Sequence, residues 1–143
     1  MNLLVVDASV AAKWCLPVSG ESLCDEAVEL LRRYTSQEIA LCVPDVFWAE
    51  ITNVFWKAVR LRRLSSPAAT EALAILRSYR LATVPSTDLL ELALEIALTF
   101  DRSVYDSLYV ALAVDSKGHL VTADERLANA LAARLPVKWL GSF

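Results

Sequence analysis

The chain has 143 residues, a length that fits one domain and lets most of the unfolded chain's surface be buried. With 56% hydrophobic and 22% charged residues it is not intrinsically disordered, because disorder requires low hydrophobicity and high net charge. Fourteen Lys and Arg against 17 Asp and Glu give a formal charge of −3 and a pI near 5.1, which argues against a nucleic-acid binder held by general positive charge.

Leu3 to Val6 is a short continuous apolar run, as a strand buried on both faces requires, and it ends at Asp7. Asp7 cuts the run too early for a secretory signal, and no basic residue precedes it. Ser22 to Tyr34 places Leu23, Ala27, Val28, Leu30 and Leu31 at helical spacing, and Ile39 to Val43 is a second buried strand. Pro44 and Asp45 suit the first turn of a helix that carries Ala49, Ile51, Phe55 and Val59 and stops at Arg62 and Arg63. Ser66 and Pro67 open a further helix to about Arg80, and Leu81 to Val84 is a third strand.

Ser86 begins a helix with Leu89, Leu90, Leu92, Ala93, Ile96 and Ala97 on its buried side. Glu91, Glu95 and Asp101 break this longest apolar stretch short of the roughly 18 residues that a membrane span needs. Tyr105 to Ser116 is the next helix, closed by Gly118 at a C-cap. His119 to Thr122 is a fourth strand, Asp124 to Ala133 a short helix, and Val137 to Leu140 an edge-like fifth strand. This alternation predicts an α/β three-layer sandwich: a parallel sheet of about five strands with helices on both faces, residues 1–143 forming one domain. Cys15, Cys24 and Cys42 are odd in number and widely spaced, so they read as small buried hydrophobes of a reducing compartment, and beside the single His119 they leave no zinc set. A soluble, cytoplasmic protein is the expectation.

In open parallel sheets the ligand site lies beyond the C-terminal strand ends, and the polar residues there are acidic. Asp7 follows the first strand, Glu50 lies inside the helix after the second, Asp106 starts a helix, and Asp124 follows the fourth strand. All four stand in apolar surroundings, where converging carboxylates raise one another's pKa unless a cation compensates. Mg2+ or Mn2+ takes such oxygen ligands and keeps room for phosphate, and phosphodiester hydrolysis is the chemistry such a site supports. Plainer roles stand beside these. Asp7 and Asp124 suit helix N-caps, Asp106 complements a helix dipole, and Glu50 forms a polar stripe with Asn53 and Lys57. The basic residues Lys57, Arg60, Arg62 and Arg63 fit either a helix C-terminus or contact with phosphate.

Asp7-Ala8-Ser9, Glu50-Ile51-Thr52-Asn53, the run from Tyr105 to Ala113, and that from Leu120 to Leu127 together resemble the PIN-domain ribonucleases, in that family's order and over essentially the whole length. More narrowly, the chain looks like a VapC-type toxin of a prokaryotic toxin–antitoxin pair. The resemblance implies that Asp7, Glu50, Asp106 and Asp124 hold one or two Mg2+ or Mn2+ ions, with Ser9 and Thr122 as hydroxyls beside the site and Asn53 as an amide one turn from the glutamate. It implies RNA cleavage to a 3′-hydroxyl and a 5′-phosphate, a small antitoxin partner and a homodimer; Lys57 and Arg60 become candidate RNA contacts. The antitoxin is expected in an apolar groove near Trp14, Trp48 and Trp56. Some members carry a further acid two places after the last aspartate, where this chain has Arg126. Tyr105 and Tyr109 read as packing residues, and Asp101 as an exposed loop acid. A housekeeping RNA-processing nuclease and a catalytically silent interaction module are the alternatives. A phosphotransfer domain is disfavoured, since the haloacid-dehalogenase pattern expects an aspartate where Ser9 stands and the receiver pattern expects an acidic pair before Asp7.

Overall fold

A computed structural model describes residues 1–16 and 22–143. Five parallel strands, β1 (Asn2–Val6), β2 (Ile39–Pro44), β3 (Ala82–Val84), β4 (His119–Thr122) and β5 (Val137–Trp139), form one sheet in the order β3-β2-β1-β4-β5. Leu4, Val5 and Val6 of the central strand are buried, which is why β1 reads as an unbroken apolar run. From β1 the chain builds outward to β2 and β3, then returns past β1 to add β4 and β5. The direction of winding therefore reverses between β1 and β4, and side chains after these two strands face a common crevice.

Among the described residues seven helices connect the strands: α1 (Ala8–Cys15), α2 (Cys24–Thr35), α3 (Val46–Arg60), α4 (Ser66–Ser78), α5 (Leu90–Phe100), α6 (Val104–Asp115) and α7 (Glu125–Leu131). They pack in two sets, α1 against α2 and α3 with α3 against α4, and α5 against α6. The reversed winding puts these sets on opposite faces of the sheet. Helix α6 lies on β1, β2 and β4 beneath α5, and its residues Ser107 to Ala113 are all buried. A helix covered on both sides needs no polar stripe, and here Leu108 to Val114 carries no charged residue between Asp106 and Asp115.

Several boundaries differ from the sequence expectation for identifiable reasons. Helix α1 was not predicted: Ala8, Val10, Ala11, Ala12, Trp14 and Cys15 leave it almost no polar face, so periodicity carries no signal there. Pro44 ends β2 instead of opening α3. The expected helix start at Ser86 is a single 3-10 turn, Ser86–Asp88, and the Ser86 hydroxyl donates to the Asp45 carboxylate; α5 begins at Leu90. Helix α4 is capped by Ser65, one residue earlier than expected, whose Oγ accepts from Ala68 N at 3.2 Å.

Gly118 is not the left-handed residue that closes α6. That conformation belongs to Lys117, at φ 58°, while Gly118 N bonds Ala113 O at 2.9 Å. Glycine is needed at 118 for space, because a Cβ there would lie 2.5 Å from the backbone oxygen of Leu3. All three cysteines are free, and burial pushes the thiols of Cys15 and Cys42 up to about 11, which makes them inert. No described helix is long and apolar enough to cross a membrane.

The two residues predict opposite outcomes in chemical denaturation. Gly118→Ala forces the α6–β4 turn away from β1 and should cost roughly 1–3 kcal/mol. Lys117→Gly relieves the left-handed backbone and should add about 1 kcal/mol.

Candidate functional site

The predicted acids come from four different places in the chain, and Asp7, Glu50 and Asp124 each lie within electrostatic reach of Asp106. Asp7 is buried at the end of β1 and serves as N-cap of α1, where its Oδ1 accepts from Val10 N at 3.3 Å. Ser9 Oγ donates to the same oxygen at 2.5 Å, and Thr122 Oγ1 donates to Oδ2 at 2.5 Å. These hydroxyls are themselves fixed by β4: Ser9 Oγ accepts from Ala123 N at 3.0 Å and Thr122 Oγ1 from Asp124 N at 3.1 Å. The network ties the two central strand ends together and lies where the sequence placed Ser9 and Thr122. Burial still outweighs it, with Asp106 adding a like charge, and Asp7 is pushed up to about 6 against a usual 3.8.

Asp106 occupies the first turn of α6, its backbone N donating to the Ser103 cap at 3.1 Å. It is half-buried and raised above the ordinary carboxylate range, first by burial and then by the charge of Asp124; Arg102 and the Ser103 bond pull it back. Glu50, in the second turn of α3, is raised by burial, relieved by a bond from Tyr109, and raised again by the charge of Asp106. Tyr109 Oη donates to Glu50 Oε1 at 2.5 Å. Burial and this carboxylate, with Asp7 and Asp106 close by, keep Tyr109 a neutral phenol. Asp124 is exposed and caps α7, its Oδ1 accepting from Arg126 N at 3.1 Å and Leu127 N at 3.2 Å. Asp106 thus adds like charge to Asp7 and Glu50, and Asp124 adds it to Asp106. For Asp7 and Asp124, the cap role expected from the sequence is present.

All donors in this crevice are oxygens, the set that a hard divalent cation takes, and their mutual repulsion is what such a cation relieves. As the side chains stand, no three acids among the described residues are near enough to grip one ion together. Asn53 is exposed one turn beyond Glu50 on α3. Lys57 and Arg60 are exposed still further along, about 10 and 15 Å from Glu50 by the rise of the helix, so they stand outside the crevice. The Arg60 guanidinium lies over the Trp56 ring, 5.1 Å from its centroid. Asp101 is exposed, in the left-handed conformation at the end of α5.

Two expectations are corrected. Tyr105 is 63% exposed and is not a packing residue, whereas Tyr109 is buried and also bonds a site carboxylate. The available signal for Tyr109 was its position three residues after Asp106, on the same side of the helix. The tryptophans do not share one groove. Trp56 lines a 270 Å³ depression between α3 and α4 with Phe55, Val59 and Leu73, and Trp14 lines another, of 210 Å³, against the opposite face of α4. Trp48 instead donates to Thr83 Oγ1 at 3.0 Å and packs edge-on to Phe47.

Residues 4–131 match the PIN domain family. Over 132 residues the chain is 33% identical to Ribonuclease VapC3 of Pyrobaculum aerophilum, covering 91% of this chain and 95% of that one. Among solved structures, PAE2754 of the same organism superposes with a TM-score of 0.70 at 23% identity, over 99% of this chain and 85% of that one. A toxin–antitoxin complex from Klebsiella pneumoniae contains a chain that superposes with a TM-score of 0.62 at 16% identity, over 94% and 95% of the two chains. These two likenesses bear on the fold.

The elevated Asp7 carboxylate has a measurable effect on stability. Because the folded state holds this proton more tightly than the unfolded chain, the stability it contributes is complete below pH 4 and is lost as the pH rises through about 6. At pH 7 the loss is on the order of 3 kcal/mol. In chelator, Asp7→Asn should melt at a higher temperature than the wild type at pH 7, and the gap should close towards pH 4; a gap independent of pH would contradict the assignment.

Proposed function

The chain belongs to the PIN-domain family, in its VapC branch, and we propose that it is a divalent-metal-dependent endoribonuclease, the toxin of a toxin–antitoxin pair. The observation that carries this is the family match, and the acids support it pairwise: Asp7, Glu50 and Asp124 each lie within electrostatic reach of Asp106. Asp7, Glu50, Asp106 and Asp124 would hold Mg2+ or Mn2+. Such an ion supplies Lewis-acid polarisation of a phosphate and an acidified water, the requirements for hydrolysing a phosphodiester without a histidine or lysine base.

The chain's own residues prepare for that chemistry. Ser9 and Thr122 fix both oxygens of Asp7 and favour its ionised form, so a carboxylate is available where burial alone would protonate it. Asp106 projects from the N-terminal turn of α6, where the helix dipole favours negative charge, including that of an incoming phosphate. Setting the four ligands apart leaves 13 acidic against 14 basic residues, so the −3 charge belongs to the site and the remainder is close to neutral. Lys57 and Arg60, away from the crevice, serve phosphates other than the scissile one, and RNA binding is weak and salt-sensitive.

Residues 1–143 act as one PIN domain in the cytoplasm. The antitoxin partner is supported by the relative seen in a toxin–antitoxin complex and by the open apolar depression beside Trp56. Leu90, Leu94 and Leu98, spaced one turn apart on the outer face of α5, are all exposed, and a homodimer would cover them.

Cleavage of a mixed RNA pool with Mg2+ or Mn2+ present tests the proposal. Asp106→Asn should lower the rate at least 1,000-fold while circular dichroism and size stay native, and chelation should silence the wild type. Expression of the wild type alone should arrest growth, and co-expression of the small partner should relieve it. An active Asp106→Asn protein would sink the site assignment.

A further inference from the structure

We infer that Tyr109 is the positioning residue for Glu50, its phenol fixing one carboxylate oxygen so that the glutamate meets the divalent ion from a set orientation. The inference rests on the metal site proposed above. Of the four acids, Asp7 and Asp124 are restrained by their own backbone, and of the other two Glu50 is the longer and freer. Asp7 and Asp124 are held as helix caps, and Asp106 stands on a shorter side chain beside the Ser103 cap. Glu50 has an additional rotatable bond, lies within α3 and is only half-buried. A long flexible ligand loses more freedom on binding unless something has already ordered it.

Tyr109 is suited to that task. Its ring is immobilised in the core of α6, it has only two side-chain torsions, and its hydroxyl emerges at Oε1 of Glu50, 2.5 Å away. Among the described residues no other group is bonded to Glu50, so Oε2 is left without a protein partner. The spacing supports this too: Asp106 and Tyr109 lie three residues apart on one side of α6, so one helix supplies a carboxylate and orients a second carried by α3. Partners of this kind commonly change metal affinity 10- to 100-fold when they are removed.

The alternative is that the bond merely fastens α3 to α6, and Tyr109→Phe separates the two because it keeps the ring and removes only the hydroxyl. Mn2+ titrated calorimetrically into the folded variant should bind with unchanged stoichiometry and an affinity at least 10-fold weaker than wild type. RNA cleavage should be lost at limiting Mn2+ and recovered at high Mn2+, while Tyr105→Phe on the same helix behaves as wild type. In a Glu50→Gln background, Tyr109→Phe should produce no further weakening of Mn2+ binding. An isotherm equal to the wild type's, or a lowered melting temperature in chelator with Mn2+ binding intact, would overturn the inference in favour of a fastening role. Additive weakening in the Glu50→Gln background would show that Tyr109 does not act through Glu50. If the wild type itself takes up no Mn2+, the metal site fails, and the positioning role fails with it.

Discussion

Burial resists the ionisation of Asp7, Glu50 and Asp106, and like charge adds to it: Asp106 acts on Asp7 and Glu50, and Asp124 acts on Asp106. Like charges brought together at a sheet edge oppose folding unless each is separately supported. The supports differ with position: two hydroxyls and a backbone amide for Asp7, a phenol for Glu50, helix-end amides for Asp124, and a cap with nearby Arg102 for Asp106. They reduce the penalty and leave a remainder, most visible in Asp7, buried beyond the central strand. A fold that keeps such a site must carry it on a large apolar framework, here Val5, Val6, Phe47, Ile51 and Leu120 around the central strands.

Much of this architecture was legible in the sequence because the parallel sheet imposes a strong local signal. Strands buried on both faces become continuous apolar runs, and polar residues just beyond them have few reasons to be there. Asp7, Glu50, Asp106 and Asp124 stood out on that ground, and all four fall within the residues that match the family. Helix α1 could not be read, because its side chains offer no polar face to mark a period. Gly118 looked like a helix stop, yet the left-handed turn falls on Lys117, and the glycine answers to a backbone two elements away.

The aromatic residues show where residue type is insufficient. Tyr105 and Tyr109 are chemically identical and four residues apart, but α5 and the sheet bury the second and leave the first in solvent. Sequence spacing put Tyr109 beside Asp106; only the tertiary fold, which brings Glu50 of α3 within reach, gave its hydroxyl a glutamate to bond. Likewise three tryptophans suggested one binding groove, and the helices direct them to three different places. Cap and ligand were also competing roles for Asp7 and Asp124, although a carboxylate has enough acceptor capacity for both.

Electrostatics connects these details to activity. The acid surplus that argued against RNA binding is concentrated in the one place where a divalent ion would reverse its effect, and the rest of the chain is near neutral. The most direct test is a calorimetric titration of Mn2+ into the wild type, Asp106→Asn and Asp101→Asn. Binding by the wild type and Asp101→Asn, abolished in Asp106→Asn, is the predicted result. Equal binding by all three, or by none, would contradict a metal site centred on Asp106.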